Sequence, residues 1–198
     1  VLHGGGNTSV KSSLDTLLGK NEEIIYVKGS GKDMGNIEED GFPALEMKNL
    51  LSMRKLIELD DFQMVNYQRK YMLDTSFPNA SVETLLHAFL PHKFVDHSHS
   101  NAILSLIDQP NPEKICKYVF GDEMGIVPYI MPGFELAKKQ TTNIDSSESN
   151  KLDTVQICKS LYCKDIVEVH KDNKPNDQAE YRLRNSWFNH QGILLDDF

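Results

Sequence analysis

Apolar and polar positions along the chain fall into short periodic runs, broken by glycine- and proline-rich punctuation. "EIIYVKGSGKDMG" reads as a short strand, Ile24 to Lys28, entering a glycine-rich turn. From Pro43 onward, Leu45, Leu50, Leu51 and Leu56 sit at helical spacing and predict a helix, with a second over residues 60–72. "FPNASVETLLHAFLPHK" is the clearest helix, with Ser81 as its N-cap, Glu83 in its first turn and Pro91 ending it. Residues 94–99 read as extended and "NAILSLI" as a short helix. "GIVPYIMPGFELAKK" predicts a strand, a proline turn and a helix beginning near Gly133 or Phe134. The polar segment 141–153 reads as a loop or linker, "DIVEVH" as a strand, "KDNKPNDQ" as a turn, and "SWFNHQGILL" as a strand or strand–turn. No internal repeat is visible. Helices alternating with short strands predict an α/β domain built on a central sheet.

Composition narrows the class. The 198 residues read as a single domain, 1–198, with enough apolar side chains (39%) for a substantial core. A net charge of −8 argues against non-specific nucleic-acid binding and suits a soluble cytoplasmic protein. No apolar run has the length of a membrane span, so no membrane partner is expected, and no secretory signal is visible. The chain opens on Val1 inside a glycine-rich motif, which reads as a fragment or a processed sequence. Cys116, Cys158 and Cys163 make no disulfide framework; the last two have a zinc-like spacing, but no second pair completes a set.

Two histidines one residue apart, His97 and His99 in "FVDHSHS", are the first chemical signal. On an extended segment they project to the same side, close enough for two imidazoles to grip one metal ion. Glu83 and His87, four residues apart, share a face of the preceding helix. A helix-borne carboxylate and a histidine pair with an open position fit a catalytic zinc site. For a third imidazole His190 is the best candidate and His170 the reserve; His3, His87 and His92 are poorer choices. Taken alone, such a pair is more often surface or core polar residues, and glycine-rich turns are usually just turns. Their co-occurrence in one chain is what carries weight.

"LHGGGNTSVK", "YVKGSGKDMG", "PNASVETLLHAFLPHKFVDHSHSNAILSL" and "VPYIMPGFELAK" together resemble the class II aldolase/adducin family. The likeness is greatest to the aldolase portion of bifunctional rhamnulose-1-phosphate aldolase/alcohol dehydrogenases, which act in rhamnose catabolism. It covers most of residues 1–140 and resumes near 186–192, with 141–185 diverged. The resemblance implies a three-layer α/β/α fold, truncated here at both ends, and a divalent metal, usually zinc, held by His97, His99 and His190. It implies Glu83 as the acid that exchanges protons at the metal, and Gly6, Asn7, Ser30, Gly31 and Ser81 as the phosphate-binding set. The implied substrate is a small sugar phosphate, a deoxy-ketose 1-phosphate cleaved to dihydroxyacetone phosphate and lactaldehyde. Lys28 and Lys11 could assist phosphate binding, but as lysines beside loops they read as solvated.

The chain departs from the family pattern at the third histidine, where "HQGILLDDF" carries Gln191 between histidine and glycine. One extra residue in a strand reverses side-chain direction. No G-x-G-x-x-G opens a helix after a strand, so the dehydrogenase domain of the resembling proteins is not expected within this stretch of chain. The family implies a homotetramer with active sites completed by a neighbouring subunit. The rival readings are a sugar-phosphate epimerase or thioribulose-phosphate dehydratase on the same fold, and a non-catalytic adducin-like interaction module.

Overall fold

The computed structural model describes residues 6–15, 20–121, 124–127, 130–139, 154–159 and 166–170. Seven strands form one sheet: β1 (Asn7–Asp15), β2 (Asn21–Val27), β3 (Ala44–Glu46), β4 (Phe94–Ser98), β5 (Met124–Val127), β6 (Thr154–Lys159) and β7 (Ile166–His170). Their spatial order is β3-β2-β1-β4-β7-β6-β5. Every pairing is antiparallel except β5 with β6. The helices are α1 (Met47–Met53), α2 (Asp61–Lys70), α3 (Thr84–Phe89), α4 (Asn101–Ile107), α5 (Pro112–Phe120) and α6 (134–139). The mixed α/β class read from the sequence is what the fold shows.

Strand parity divides the sheet into two faces. On one face Ile25, Val27, Leu45 and Val95 pack against Met47 and Leu50 of α1, Leu85 and Phe89 of α3, Met64 of α2 and Phe134 of α6. On the other, Val10, Tyr26, Ala44 and Phe94 occupy one row of the register. With Phe42, Leu73 and Phe77 they line an apolar cavity of about 690 Å³. A smaller cluster joins Ile107 of α4 to Cys116 of α5, against Ile126 of β5. Cys116 is a free, buried thiol.

Local rules account for several boundaries. Asp60 caps α2, its carboxylate accepting from the Gln63 backbone N–H at 2.7 Å. Leu90 stands before Pro91 with extended angles, φ −67° and ψ 136°, and ends α3. Pro112 opens α5 from the first helical turn, where its missing N–H costs nothing. Three elements, β1, α5 and β6, have no counterpart among the sequence expectations.

Two expectations are corrected. The helix expected from Pro43 begins only at Met47, because residues 44–46 form β3. Leu45 pairs with Ile25 on one side and bridges Met72 on the other, and the Leu73 N–H reaches the Ala44 carbonyl at 2.9 Å. Backbone partners on both flanks hold the segment extended against its helical spacing. Ser81 is not the N-cap of α3; Glu83 occupies that position, and the Ser81 hydroxyl, two residues earlier, accepts the Glu83 N–H at 3.3 Å and donates to the Glu83 carboxylate. The loop expected at 141–153 and the strand expected around "SWFNHQGILL" lie outside the described residues. No helix among the described residues is long and apolar enough to cross a membrane.

Candidate active site

The site grows from the β1–β4 pairing, which sets Asn7 directly opposite His97. Gly6 makes that approach possible. Its φ is +68°, and a Cβ there would lie 2.4 Å from the His97 carbonyl oxygen, far inside contact distance. Past the end of β4, the His99 ring stands 5.0 Å from the His97 ring, tilted by 55°. His97 is 2% exposed and His99 exposed. The two rings are therefore neighbours, His97 inside on the strand and His99 at the surface just past its end.

Glu83 is tied to the same place. Asn7 Nδ2 donates to Glu83 Oε2 at 2.9 Å and to Ser81 Oγ at 2.8 Å. The Ser81 hydroxyl in turn donates to Glu83 Oε2 at 2.6 Å. Asn7, Ser81 and Glu83 thus close a triangle of hydrogen bonds beside the His97 register position. Asn7 Oδ1 is buried with no hydrogen-bond partner among the described residues. A buried amide oxygen left in that condition costs about 1–3 kcal/mol, and a polar ligand would remove the cost.

The second glycine turn lies against this triangle. Gly29 bridges Ala80, the Ser30 N–H donates to the Asn79 carbonyl at 2.8 Å, and the Ser81 N–H to the Lys28 carbonyl at 3.2 Å. Gly31 follows with φ +73° and open space around it. Gly6, Asn7, Ser30, Gly31 and Ser81 are therefore held on adjoining segments. Two of their backbone donors are spent on the turn itself, so an anion here would meet hydroxyls and the remaining amides.

The reading of Lys28 and Lys11 as solvated is corrected. Lys28 is 2% exposed, its Nζ 3.4 Å from the Gly29 carbonyl oxygen. Burial pushes its pKa down, while the charges of Glu83 and Asp33 push it back up. Lys11 Nζ donates to the carbonyls of Leu90 and, at 2.8 Å, of His92. Burial lowers its pKa to about 8. His87 is fully buried, with Nδ1 2.8 Å from Ser9 Oγ. Burial, then the neighbouring His97 and Lys11 charges, hold it well below the usual histidine range, against an opposing contribution from the Val95 backbone. Sequence reasoning missed these three because only the tertiary fold reveals burial. The alternation Asn7, Ser9, Lys11 on one strand was the available signal.

Among the described residues, no three His, Cys, Asp or Glu side chains gather around one cation-sized point. His190 and His3 lie outside the described residues. His170 pairs with Phe94, three positions from His97 along β4 and of opposite parity.

Residues 1–150 match the model of the class II aldolase and adducin N-terminal domain. The chain belongs to the class II aldolase/adducin family. It is 40% identical over 135 residues, 68% of its length, to the uncharacterized oxidoreductase YuxG of Bacillus subtilis (strain 168), and covers 20% of that protein. It thus spans about a fifth of the length of that curated relative. The N-terminal class II aldolase domain of a conserved Thermoplasma acidophilum protein superposes with a TM-score of 0.73 at 37% identity, covering 85% of this chain and 75% of that one. Escherichia coli YgbL shares the fold at 13% identity, with a TM-score of 0.55 over 95% of this chain and 78% of its own. Class II aldolases typically use a divalent metal, and the donor chemistry of the paired imidazoles suits one, with further ligands needed from outside the described residues.

Proposed function

We propose that this domain is a metal-dependent aldehyde-lyase that cleaves a deoxy-ketose 1-phosphate, of the rhamnulose 1-phosphate kind, to dihydroxyacetone phosphate and lactaldehyde. One observation carries the reading. The Glu83 carboxylate is held by Ser81, in the segment before α3, and by Asn7 of β1, which pairs with His97 of β4, so the candidate acid and His97 share one frame. His97, His99 and His190 would hold a divalent cation, zinc by donor type, in the manner the family implies. When bound, that ion supplies Lewis-acid stabilisation to the negative charge developing on the ketose oxygens.

The chain's own residues do the rest. Glu83 returns a proton to C3 of the dihydroxyacetone phosphate half once the C3–C4 bond has broken, and removes it in the synthetic direction. Both donors converge on Oε2, which fixes the carboxylate plane and leaves Oε1 for that exchange. Gly6, Asn7, Ser30, Gly31 and Ser81 form the phosphate subsite, where hydroxyls and backbone amides suit a dianion without a cluster of basic residues. Lys28 is buried nearby, where burial disfavours its charged form and Glu83 favours it. A homotetramer, with a neighbouring subunit completing the site, is part of this proposal.

Product analysis with rhamnulose 1-phosphate and ribulose 5-phosphate tests it. Dihydroxyacetone phosphate from the first, with no turnover of the second, is the expected result; epimerised ribulose 5-phosphate would reassign the domain to the epimerase reading. Elemental analysis of the purified chain separates enzyme from scaffold: stoichiometric zinc is expected, and a metal-free chain of native fold would favour the adducin-like module.

A further inference from the structure

One face of β1 presents Asn7, Ser9 and Lys11, alternate residues of the strand, and they meet in turn the N-cap of α3, α3 itself and the turn after it. Asn7 reaches Glu83 at 2.9 Å, Ser9 reaches His87 at 2.8 Å, and Lys11 reaches the carbonyls of Leu90 and His92. The two elements are commensurate. Two strand residues advance about 6.8 Å, and four helical residues about 6.0 Å. Glu83 and His87, joined by a 3.2 Å bond from the His87 N–H to the Glu83 carbonyl, therefore fall opposite Asn7 and Ser9 in turn. Strand β4 continues both rungs, with His97 opposite Asn7 and Val95 opposite Ser9.

The middle rung has no evident packing reason. His87 is fully buried among apolar residues of α3, and its Nε2 has no hydrogen-bond partner among the described residues. A leucine there would avoid the desolvation of two ring nitrogens. What the imidazole gains is the Ser9 bond, which fixes both the rotation of α3 about its axis and its position along β1.

We infer that His87, through Ser9, is the positioning residue for Glu83, keying α3 to β1 one rung behind the Glu83–Asn7–His97 rung. Its catalytic consequence rests on the lyase reading above; its structural consequence does not.

The test uses the full chain labelled with 15N-asparagine, the Asn7 side-chain amide being assigned with Asn7→Ser. In the parent chain that amide donates to Ser81 and Glu83. His87→Leu, checked for folding by its thermal transition, is expected to move the Asn7 amide signal toward its solvated position. His87→Gln, which keeps a group able to bond Ser9, is expected to bring it back. Ser9→Ala breaks the same rung from the strand side without emptying the His87 site, and decides the matter if His87→Leu does not fold. A folded variant with the Asn7 signal unmoved would overturn the inference.

The second readout is solvent deuterium exchange into dihydroxyacetone phosphate. We expect a roughly tenfold to hundredfold lower saturating rate in the leucine and alanine variants, with ligand affinity nearly unchanged and partial rescue by glutamine. Full exchange in a variant whose Asn7 signal has moved would also overturn it. A parent chain that exchanges nothing would sink the lyase reading instead, and the Asn7 signal alone would then decide on His87.

Discussion

Gly6 and Gly31 are indistinguishable by residue type, and both adopt positive φ, +68° and +73°. Their surroundings separate them, since a Cβ at Gly6 meets the His97 carbonyl at 2.4 Å and one at Gly31 meets nothing within 4 Å. Gly31→Ala should cost about 1–2 kcal/mol of backbone strain. Gly6→Ala must also push β1 off β4, so denaturant titration should show the larger loss; the reverse ranking would contradict the β1–β4 frame. At the histidine pair, His97→Ala or His99→Ala should abolish stoichiometric metal by elemental analysis, and full occupancy in either variant would remove that residue as a ligand. Glu83→Gln should leave phosphate affinity intact while turnover falls by about a hundredfold or more. An unchanged rate would end its role as proton shuttle. The imidazole pair was legible in the sequence because strand parity is a local property. The burial of Lys28 was not, since it depends on a bridge between Gly29 and Ala80, distant in sequence.

Elements were legible where local rules act without competition. The cap at Asp60 and the stop at Pro91 belong to this class. The stretch after Pro43 was misread because flanking backbone partners at Ile25 and Met72 outweigh leucine spacing over three residues. The attachment of α3 to β1 makes a pH prediction. Lys11 has its pKa lowered to about 8 in the fold, against 10.5 unfolded. Below pH 8 both states are protonated and the full burial penalty is felt. Between 8 and 10.5 the unfolded chain binds the additional proton, so stability rises with pH. Relative to Lys11→Met, the parent chain should gain on the order of 2 kcal/mol between pH 7 and pH 10. A constant difference in denaturation midpoints across that range would show that the ammonium pays no such penalty.

Across the whole molecule, the proposed cation links β4 to residue 190, near the far end of the chain. Chelation should lower the thermal midpoint, because a ligand at a hundred times its Kd contributes about 2.7 kcal/mol to the state that binds it. His190→Ala should shrink that shift and the metal content together; an undiminished shift would place the third ligand elsewhere. The amino-acid sequence by itself determined the family, the α/β class, the helix stop before Pro91 and the same-side placement of His97 and His99. Each depends on residue order and short-range periodicity. Tertiary structure alone decided that Asn7 and Ser81 grip Glu83, that Gly6 must lack a side chain, that Lys28 and His87 are buried, and that Lys11 is half-buried. Those facts arise where segments some fifty to ninety positions apart come into contact, as in Gly29 with Ala80 and Asn7 with Ser81 and His97. Periodicity describes one segment's faces; it does not specify which other segment will cover them.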